Sequence, residues 1–295
     1  MKTRRHFLSC GLLVGQLVLP SLSFSQVSPT RLISVWLQAD CPVGDEGQLE
    51  GDLAQAGTAV EPALISAAQN GPDSNTLLQI QASAGATYDQ VQSWIVPNGA
   101  EIGLSANDIQ LLQAETRDQY VAEAVQDATI AYQSRALVGL GIIADSTAVQ
   151  FLQTFATKNT SPLQSVAKRA LAEIFSTFSV KLEVSSRGFE LNGTFALRTD
   201  SDGIDPVTEA AVLQVGKFSG TIPSSSFVAQ KNGAFVFEGV IDGVNLEVRI
   251  KPLGNYSFAF NTEGGGVDLS ALTNPITVAL TIGNNRGRTA VSAQD

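Results

Sequence analysis

Two runs of alternating apolar and polar residues meet at the dipeptide Asp242-Gly243. Phe235–Ile241 alternates before it, and Val244–Lys251 alternates after it. A period of two is that of a strand with one buried face, and Asp-Gly is a strong signal for a two-residue hairpin turn. With this turn Phe237 lies opposite Val248, and the apolar residues of both strands share one face. The sequence therefore predicts an antiparallel hairpin with a fixed register.

Residues 178–295 contain further alternating runs of this kind. They are Phe189–Leu197, Tyr256–Phe260 and Val278–Ile282, and turns marked by glycine or proline separate them. About eight to ten short strands in such an arrangement are typical of an antiparallel sandwich. The sequence therefore predicts a β-sandwich domain over residues 178–295.

Three phrases of the β half carry a resemblance to known proteins. They are Asp202–Glu209, Phe237–Ile241 and Asn274–Val278. Together they resemble a β module of large bacterial secreted proteins, and the likeness covers residues 180–293. The resemblance implies a secreted module without an assigned activity, so it adds no catalytic residue.

The composition changes near residue 177. Residues 26–150 contain no phenylalanine, whereas residues 178–295 contain nine. Alanine and glutamine dominate the first part and favour helices, so we predict separate domains, with an α-helical domain over residues 58–177 before the β domain. Residues 26–57 stay uncertain, because the apolar run Leu32–Leu37 is followed by Asp40–Gly51, whose composition is that of a loop.

The clearest helices lie at the end of the helical half. Apolar residues at helical spacing predict helices over Tyr132–Ala144, Thr147–Thr157 and Leu163–Phe175. Asp145 provides a cap signal between the first two, and Pro162 suits the first turn of the third. Arg135–Leu137 recurs as Arg169–Leu171, and the paired helices resemble HEAT-type repeats over residues 61–176. The resemblance implies a curved surface that binds another protein.

Residues 1–25 have the features of a secretory signal peptide. A basic start is followed by the uncharged run Cys10–Leu19 and by the small residues Ser23 and Ser25. We therefore predict cleavage before Gln26 and an exported, periplasmic or extracellular, soluble protein. The apolar run is too short to span a bilayer, and no other segment reaches eighteen apolar residues.

The start of this segment also resembles the twin-arginine export motif. Thr3–Leu8 contains the pair Arg4-Arg5 followed by Phe7-Leu8. The resemblance implies folding before export, whereas an ordinary Sec signal remains the alternative.

The residues that follow this signal exclude several kinds of chemistry. Only one cysteine, Cys41, and no histidine or methionine remain after residue 25. These residues therefore exclude a Ser-His-Asp or Cys-His catalytic unit and a zinc site with histidine ligands. They also exclude a disulfide within the chain. Cys41 is expected to be structural or to form a disulfide between chains. Three of the 18 basic residues and none of the 28 acidic residues lie in the signal, so the mature net charge of −13 argues against nucleic acid as a partner.

The strongest candidate site is an acidic loop. Asp200, Asp202, Asp205 and Glu209 surround Gly203, and calcium favours such oxygen-rich loops. The spacing is not that of an EF-hand, and a simple polar turn is the alternative. Calcium is the one cofactor that the sequence suggests.

Other candidate sites have simpler explanations. Ser165 and Lys168 have the spacing of serine acyltransferases, but the accompanying motifs are missing, so an exposed helix face is the better interpretation. Glu115, Glu123 and Asp127 are predicted to form one stripe of a helix, with Asp118 beside it. A solvated acidic face is the preferred interpretation, and a ligand-binding role is the alternative.

These observations predict a non-catalytic binding or scaffold protein whose partner is another protein, and not an enzyme. The acidic balance favours a basic partner. One alternative is an envelope hydrolase that uses carboxylates alone. Another is a carbohydrate-binding accessory protein, for which Trp36, Trp94 and Tyr256 are the candidate exposed aromatics.

Overall fold

A computed structural model describes residues 28–38, 46–158, 162–185, 187–267, 269 and 274–293. Helices come first and strands second, and all paired strands are antiparallel. The predicted order of an α part and a β part is therefore confirmed. The chain divides into two compact units, residues 1–139 and residues 140–295.

The described part of the chain contains eight helices of nine or more residues. They are α1 (Pro29–Gln38), α2 (Glu46–Ala56), α3 (Glu61–Asn70), α4 (Ser74–Gln90), α5 (Ala106–Ala114), α6 (Arg117–Ile143), α7 (Ser146–Lys158) and α8 (Pro162–Ala172). A single π-helical turn, Val91–Ile95, directly follows α4. None of the described helices is long and apolar enough to cross a membrane.

The predicted helices near the end of the helical half correspond to the last part of α6, to α7 and to α8. Asp145 caps α7, because its Oδ1 atom accepts a hydrogen bond of 2.9 Å from the backbone N–H of Ala148. Pro162 is the first residue of α8, as predicted.

The loop predicted over Asp40–Gly51 is wrong for its described part. Helix α2 begins at Glu46, and the rest of the predicted loop lies outside the described residues. Leu53 of this helix is fully buried. Burial of this side chain in the first unit stabilises a helix that Gly47, Gly51 and Asp52 disfavour locally.

The core of the first unit is organised around Trp36, which is 1% exposed. Its Nε1 atom donates a hydrogen bond of 2.9 Å to the backbone carbonyl of Arg135, whose guanidinium lies 5.1 Å from the centre of the indole ring. At Gly139 a Cβ atom would come within 2.8 Å of the indole Nε1 and close to Leu64. Glycine therefore allows α1 to approach α6 closely.

The described part of the second unit contains ten strands. They are β1 (Thr177–Ser185), β2 (Gly188–Ala196), β3 (Ala211–Val215), β4 (Phe218–Ile222), β5 (Val228–Ala229), β6 (Phe235–Ile241), β7 (Val244–Gly254), β8 (Ser257–Gly265), β9 (Ile276–Ile282) and β10 (Asn285–Val291). Six of them form a sheet in the order β1-β2-β8-β7-β6-β5, and four form a sheet in the order β10-β9-β3-β4. Buried side chains from both sheets belong to one hydrophobic cluster.

The register of the β6–β7 hairpin is confirmed. Phe237 pairs with Val248 and Ile241 pairs with Val244. Phe237 is buried in the hydrophobic cluster, as the alternation predicts. Tyr256 departs from the predicted alternation, because it lies in the β7–β8 turn at a positive φ of 60° and is 57% exposed.

The residues directly before β1 are bonded to β10. The backbone N–H of Phe175 donates to the carbonyl of Arg286 at 2.7 Å, and the N–H of Arg286 donates to the carbonyl of Glu173 at 2.8 Å. The second compact unit accordingly begins before the strands and includes α7 and α8. The domain boundary between residues 177 and 178 stays a prediction.

Candidate functional site

Two carboxylates of the predicted calcium loop accept hydrogen bonds within the loop itself. Asp205 accepts from the backbone N–H of Val207 at 3.1 Å and from the hydroxyl of Thr208 at 2.8 Å. Glu209 accepts from the backbone N–H of Asp205 at 2.7 Å. These two side chains therefore stabilise the turn that follows Gly203.

The other two carboxylates, Asp200 and Asp202, are exposed. Asp202 lies 3.4 Å from the side-chain amides of both Asn284 and Asn285. Asn285 is 1% exposed and donates to the carbonyl of Gly203 at 2.7 Å, so it anchors the loop to the start of β10. Sequence reasoning missed this asparagine, because nothing in its local pattern distinguishes it from an ordinary turn residue.

The structure does not bring the four carboxylates together as a ligand set. Among the described residues, no group of three or more histidine, cysteine, aspartate or glutamate side chains is arranged to hold a metal ion. Calcium binding at Asp200, Asp202, Asp205 and Glu209 stays a prediction that titration must test.

The remaining polar candidates lie apart from one another along the chain. The hydroxyl of Ser165 donates to the carbonyl of Pro162 at 2.7 Å, and Lys168 is exposed on the same helix. Asp118, Glu123 and Asp127 lie on α6, but the prediction that Glu115 shares their helical stripe is wrong, because it lies in the connection between α5 and α6. Cys41 lies outside the described residues.

One of the three aromatic candidates for sugar binding is corrected. Trp36 is buried in the core of the first unit and cannot contact a ligand at the surface. Trp94 is 55% exposed on the π-helical turn of the first unit, and Tyr256 is 57% exposed in the second. The prediction that Trp36 is an exposed aromatic is therefore wrong, because its indole ring packs against α6.

A row of five glutamates crosses the outer face of the six-stranded sheet, opposite the face that joins the hydrophobic cluster. Each glutamate pairs directly with the next one across neighbouring strands. We call this set the glutamate row; from β1 to β6 it consists of Glu183, Glu190, Glu263, Glu247 and Glu238. All five are exposed.

The spacing of the glutamate row follows from the sheet. Neighbouring strands are about 4.8 Å apart, so five strands carry the row over about 19 Å. Within the described residues none of these carboxylates forms an ion pair, and only Glu190 accepts a side-chain hydrogen bond, at 2.7 Å from Asn192. Because like charges directly opposite one another destabilise a sheet, the row has an unfavourable electrostatic energy.

The two flanks of the glutamate row differ in charge. On one side, the residues two positions along each strand from the glutamates are Lys181, Asn192, Asn261, Arg249 and Val236. Lys251 follows two positions beyond Arg249 on β7. Two residues along on the other side lie Ser185, Gly188, Gly265, Asn245 and Val240. One flank therefore carries cations, whereas the residues of the other flank are uncharged and include glycine on β2 and β8. Gly188 is buried, and the exposed Arg187 directly precedes it in the β1–β2 turn.

Perturbed carboxyl groups occur elsewhere, in the first unit. Burial raises the pKa of Asp52, whose Oδ2 atom has no hydrogen-bond partner among the described residues. The backbone N–H of Thr76 bonds the carboxylate of Asp73 at 2.7 Å and lowers its pKa. A hydrolase of the predicted carboxylate type would need two facing carboxyl groups, and the shift of Asp52 has burial as its cause and no neighbouring charge.

Part of the glutamate row can be predicted from the sequence. The predicted hairpin register already places Glu238 opposite Glu247. The remaining members require the order of β1, β2 and β8 in the sheet, which is set by contacts distant in sequence.

Comparison with protein-family models, with curated proteins and with solved structures gives no match to this chain. The resemblances to HEAT-type repeats and to a bacterial secreted module gain no support from these comparisons, and both stay proposals.

Proposed function

We propose that this chain is an exported, non-catalytic binding protein that docks a basic protein on the outer face of its six-stranded sheet. The observation that carries the proposal is the glutamate row. Five directly opposed carboxylates with no cationic partner in the described residues form a surface that is complementary to lysine and arginine side chains.

The energetics of the row support a docking role. An exposed sheet face tolerates alternating charges or neutral polar residues at lower cost than a single-sign row. A cationic partner removes this repulsion when it binds. Relief of the repulsion between the glutamates therefore contributes to the binding free energy. The interaction is expected to be fast and sensitive to ionic strength.

The outer face supports a protein partner better than a sugar. Carbohydrate platforms use exposed aromatic rings, and no aromatic side chain belongs to the rows described on this face. Trp94 and Tyr256 belong to different compact units. The five glutamates of this face are exposed, whereas the general acid of glycoside hydrolysis is a carboxyl group whose pKa an apolar environment raises.

Two finer fold assignments form part of this proposal. A sandwich is supported by two antiparallel sheets whose buried side chains form one cluster. HEAT-type repeats are supported by α6, α7 and α8, which follow one another with short connections. Export is supported by the features of residues 1–25, and mass spectrometry of the exported protein should find Gln26 as its first residue.

The docking proposal is tested with a fluorescent dodecalysine peptide as the probe. The test variant combines Glu190→Gln, Glu263→Gln and Glu247→Gln at the centre of the row. The control variant removes the same number of charges from exposed positions of the first unit, by Glu101→Gln, Asp118→Asn and Asp127→Asn. At low ionic strength the test variant should bind at least about tenfold more weakly than the control.

Equal binding by the two triple variants would contradict the docking proposal, because the peptide would then respond only to net charge. Thermal unfolding followed by circular dichroism checks that both variants are folded. In 1 M sodium chloride the two triple variants should bind the peptide equally, because the Debye length at that concentration is about 3 Å.

A further inference from the structure

We propose that Asn232, in the turn between β5 and β6, is a site of spontaneous deamidation, and that the fold protects the other asparagines of the same sequence type. Four asparagines directly precede a glycine in this chain: Asn70, Asn98, Asn192 and Asn232. Glycine has no side chain to shield its backbone nitrogen, so this nitrogen can attack the side-chain amide of the residue before it. The dipeptide alone does not distinguish the four sites, whereas their structural surroundings do. The inference is independent of the docking function.

The reaction requires only water. The backbone nitrogen of Gly233 loses its proton to water or hydroxide and forms a bond to Cγ of Asn232. The bond from Cγ to Nδ2 then breaks, and Nδ2 takes a proton from water and leaves as ammonia. Water opens the resulting succinimide ring at either carbonyl, which gives aspartate or isoaspartate at position 232. No group is oxidised or reduced, and isoaspartate makes the main chain one carbon longer.

The turn positions Asn232 for this attack. Its Oδ1 atom accepts a hydrogen bond of 3.1 Å from the backbone N–H of Ala234, so the side chain lies along the backbone of Gly233. The same N–H stabilises the negative charge that develops on Oδ1 when the nitrogen attacks Cγ. Asn232 and Gly233 are exposed, and Nδ2 donates to no described residue, so ammonia can leave directly into water.

One hydrogen bond has to open before the reaction. The N–H of Gly233 donates to the carbonyl of Gln230 at 2.9 Å, and this bond holds the proton that the nitrogen must lose. The turn follows β5, whose only residues, Val228 and Ala229, are both exposed at the edge of the six-stranded sheet. Exposed edge segments open locally at a small fraction of the global free energy of unfolding. The turn can therefore open while the sheet stays folded.

The sheet holds Asn192 in place. Asn192 and Gly193 belong to β2, which pairs with β1 on one side and with β8 on the other. The Nδ2 atom of Asn192 donates to Glu190 at 2.7 Å, and its Oδ1 atom accepts from Asn261. Closure of the succinimide ring requires the main chain to rotate between Asn192 and Gly193. This rotation would break the pairing with both neighbouring strands, so Asn192 is protected.

Helical structure holds Asn70 and Asn98. Each is the last residue of a helical segment. The Nδ2 atom of Asn70 donates to Oγ of Ser66 at 3.3 Å, and that of Asn98 donates to the carbonyl of Trp94 at 2.7 Å. Both side chains are therefore bonded to the residue four positions earlier, away from the glycine that follows. The two following glycines are also buried, whereas Gly233 is exposed.

The products change the β5–β6 turn in two ways. Either product adds a carboxylate beside Lys231. Isoaspartate also lengthens the main chain inside the turn, which is closed by a hydrogen bond of 2.7 Å from the N–H of Gln230 to the carbonyl of Ala234. Deamidation should therefore weaken the pairing of β5 with β6.

The test compares the four asparagines within one molecule. The purified, folded chain is incubated in mildly alkaline buffer made with heavy-oxygen water, and peptides from timed samples are analysed by mass spectrometry. Heavy oxygen enters the carboxyl group when the succinimide opens, so conversion during later sample preparation is not counted. Asn232 should convert at least about tenfold faster than Asn70, Asn98 and Asn192. Equal rates at the four sites, or faster conversion at any of the other three, would overturn the proposal.

Unfolded protein provides the control for the role of the fold. In urea the four rates should agree within about threefold, because each asparagine then precedes glycine in a flexible backbone. The same preference for Asn232 in urea would assign it to the local sequence and overturn the structural explanation. Asn232→Gln should remove the acidic species that isoelectric focusing of the aged, folded protein reveals, since ring closure on glutamine is slower. Persistence of that species in Asn232→Gln would show that another residue is the main site.

Discussion

The acidic loop of residues 200–209 and the glutamate row belong to the same compact unit but use their carboxylates in opposite ways. In the loop, Asp205 and Glu209 accept hydrogen bonds from backbone N–H groups, and the loop is anchored by the buried Asn285. In the row, carboxylates face one another across five strands, and four of the five accept no side-chain hydrogen bond from a described residue.

This difference shows that the density of acidic residues along a sequence is a poor guide to a binding surface. Four carboxylates within ten residues attract attention in the sequence, yet two of them are committed to local turn structure. The members of the row are scattered between residues 183 and 263 and become neighbours only through strand pairing. Surface carboxylates without donors are the ones available to a partner.

The largest expected effect comes from breaking the anchor of the loop. Asn285→Ala should lower the free energy of unfolding by about 2–3 kcal/mol, because the partly buried carbonyl of Gly203 loses its donor. The hydroxyl of Ser201 also loses an acceptor, at 2.7 Å. Chemical denaturation measures the change.

The neighbouring asparagine provides the control. Asn284→Ala removes a contact of 3.4 Å to the exposed Asp202 and one acceptor, at 2.9 Å, of the Asn285 amide, but leaves the bond from Asn285 to the carbonyl of Gly203 in place. Its effect should therefore be smaller, within about 1 kcal/mol. Equal effects of the two substitutions would show that the loop is not held by Asn285.

Calcium binding is a second test that distinguishes the acidic loop from the glutamate row. A millimolar site in the loop predicts that 10 mM calcium stabilises the wild type by about 1.4 kcal/mol, given a concentration ten times the dissociation constant. The shift in melting temperature should disappear in Asp202→Ala and persist in the triple glutamine variant of the row. Loss of the shift in the triple variant alone would assign calcium to the row, and a wild type that does not respond would refute the calcium hypothesis.

The same substitution should have opposite signs in the two regions. Glu209→Gln should destabilise the protein by about 1 kcal/mol, because a charged acceptor of the Asp205 N–H becomes neutral. Glu263→Gln should instead raise the melting temperature, because it removes repulsion from Glu190 and from Glu247. The gain from Glu263→Gln should vanish at high salt. Destabilisation by both substitutions would contradict the comparison.

Features that depend on interactions between residues close in sequence were predicted correctly, and features that depend on distant residues were not. The β6–β7 register is correct because a two-residue turn and an alternation of period two are both local. The start of α2 and the burial of Trp36 were not predicted, because both depend on contacts with residues far along the chain. For the same reason the sequence identified the loop and missed the row, which requires the sheet order β1-β2-β8-β7-β6.

The smallest expected effect concerns carboxyl groups that belong to neither region. Asp52 is partly buried, and its Oδ2 atom has no hydrogen-bond partner in the described part of the chain; burial raises its pKa above the ordinary value of 3.8. A raised folded-state pKa means that the folded protein binds more protons than the unfolded chain, so stability falls as pH rises from 3.8 through the folded pKa. Asp52→Asn should therefore match the wild type below pH 3.8 and exceed it at neutral pH.

Asp73 provides the opposite case and the control. The N–H of Thr76 lowers the pKa of Asp73, so its stabilising contribution is present above the unfolded value of 3.8 and is lost as pH falls through the lower folded pKa. Asp73→Asn should be less stable than the wild type at neutral pH and approach it in acid. Urea unfolding between pH 3 and pH 7 measures both differences. Parallel pH profiles for the two variants would mean that hydrogen-bond donors do not distinguish the carboxylates of this chain, and the contrast between the loop and the row would lose its physical basis.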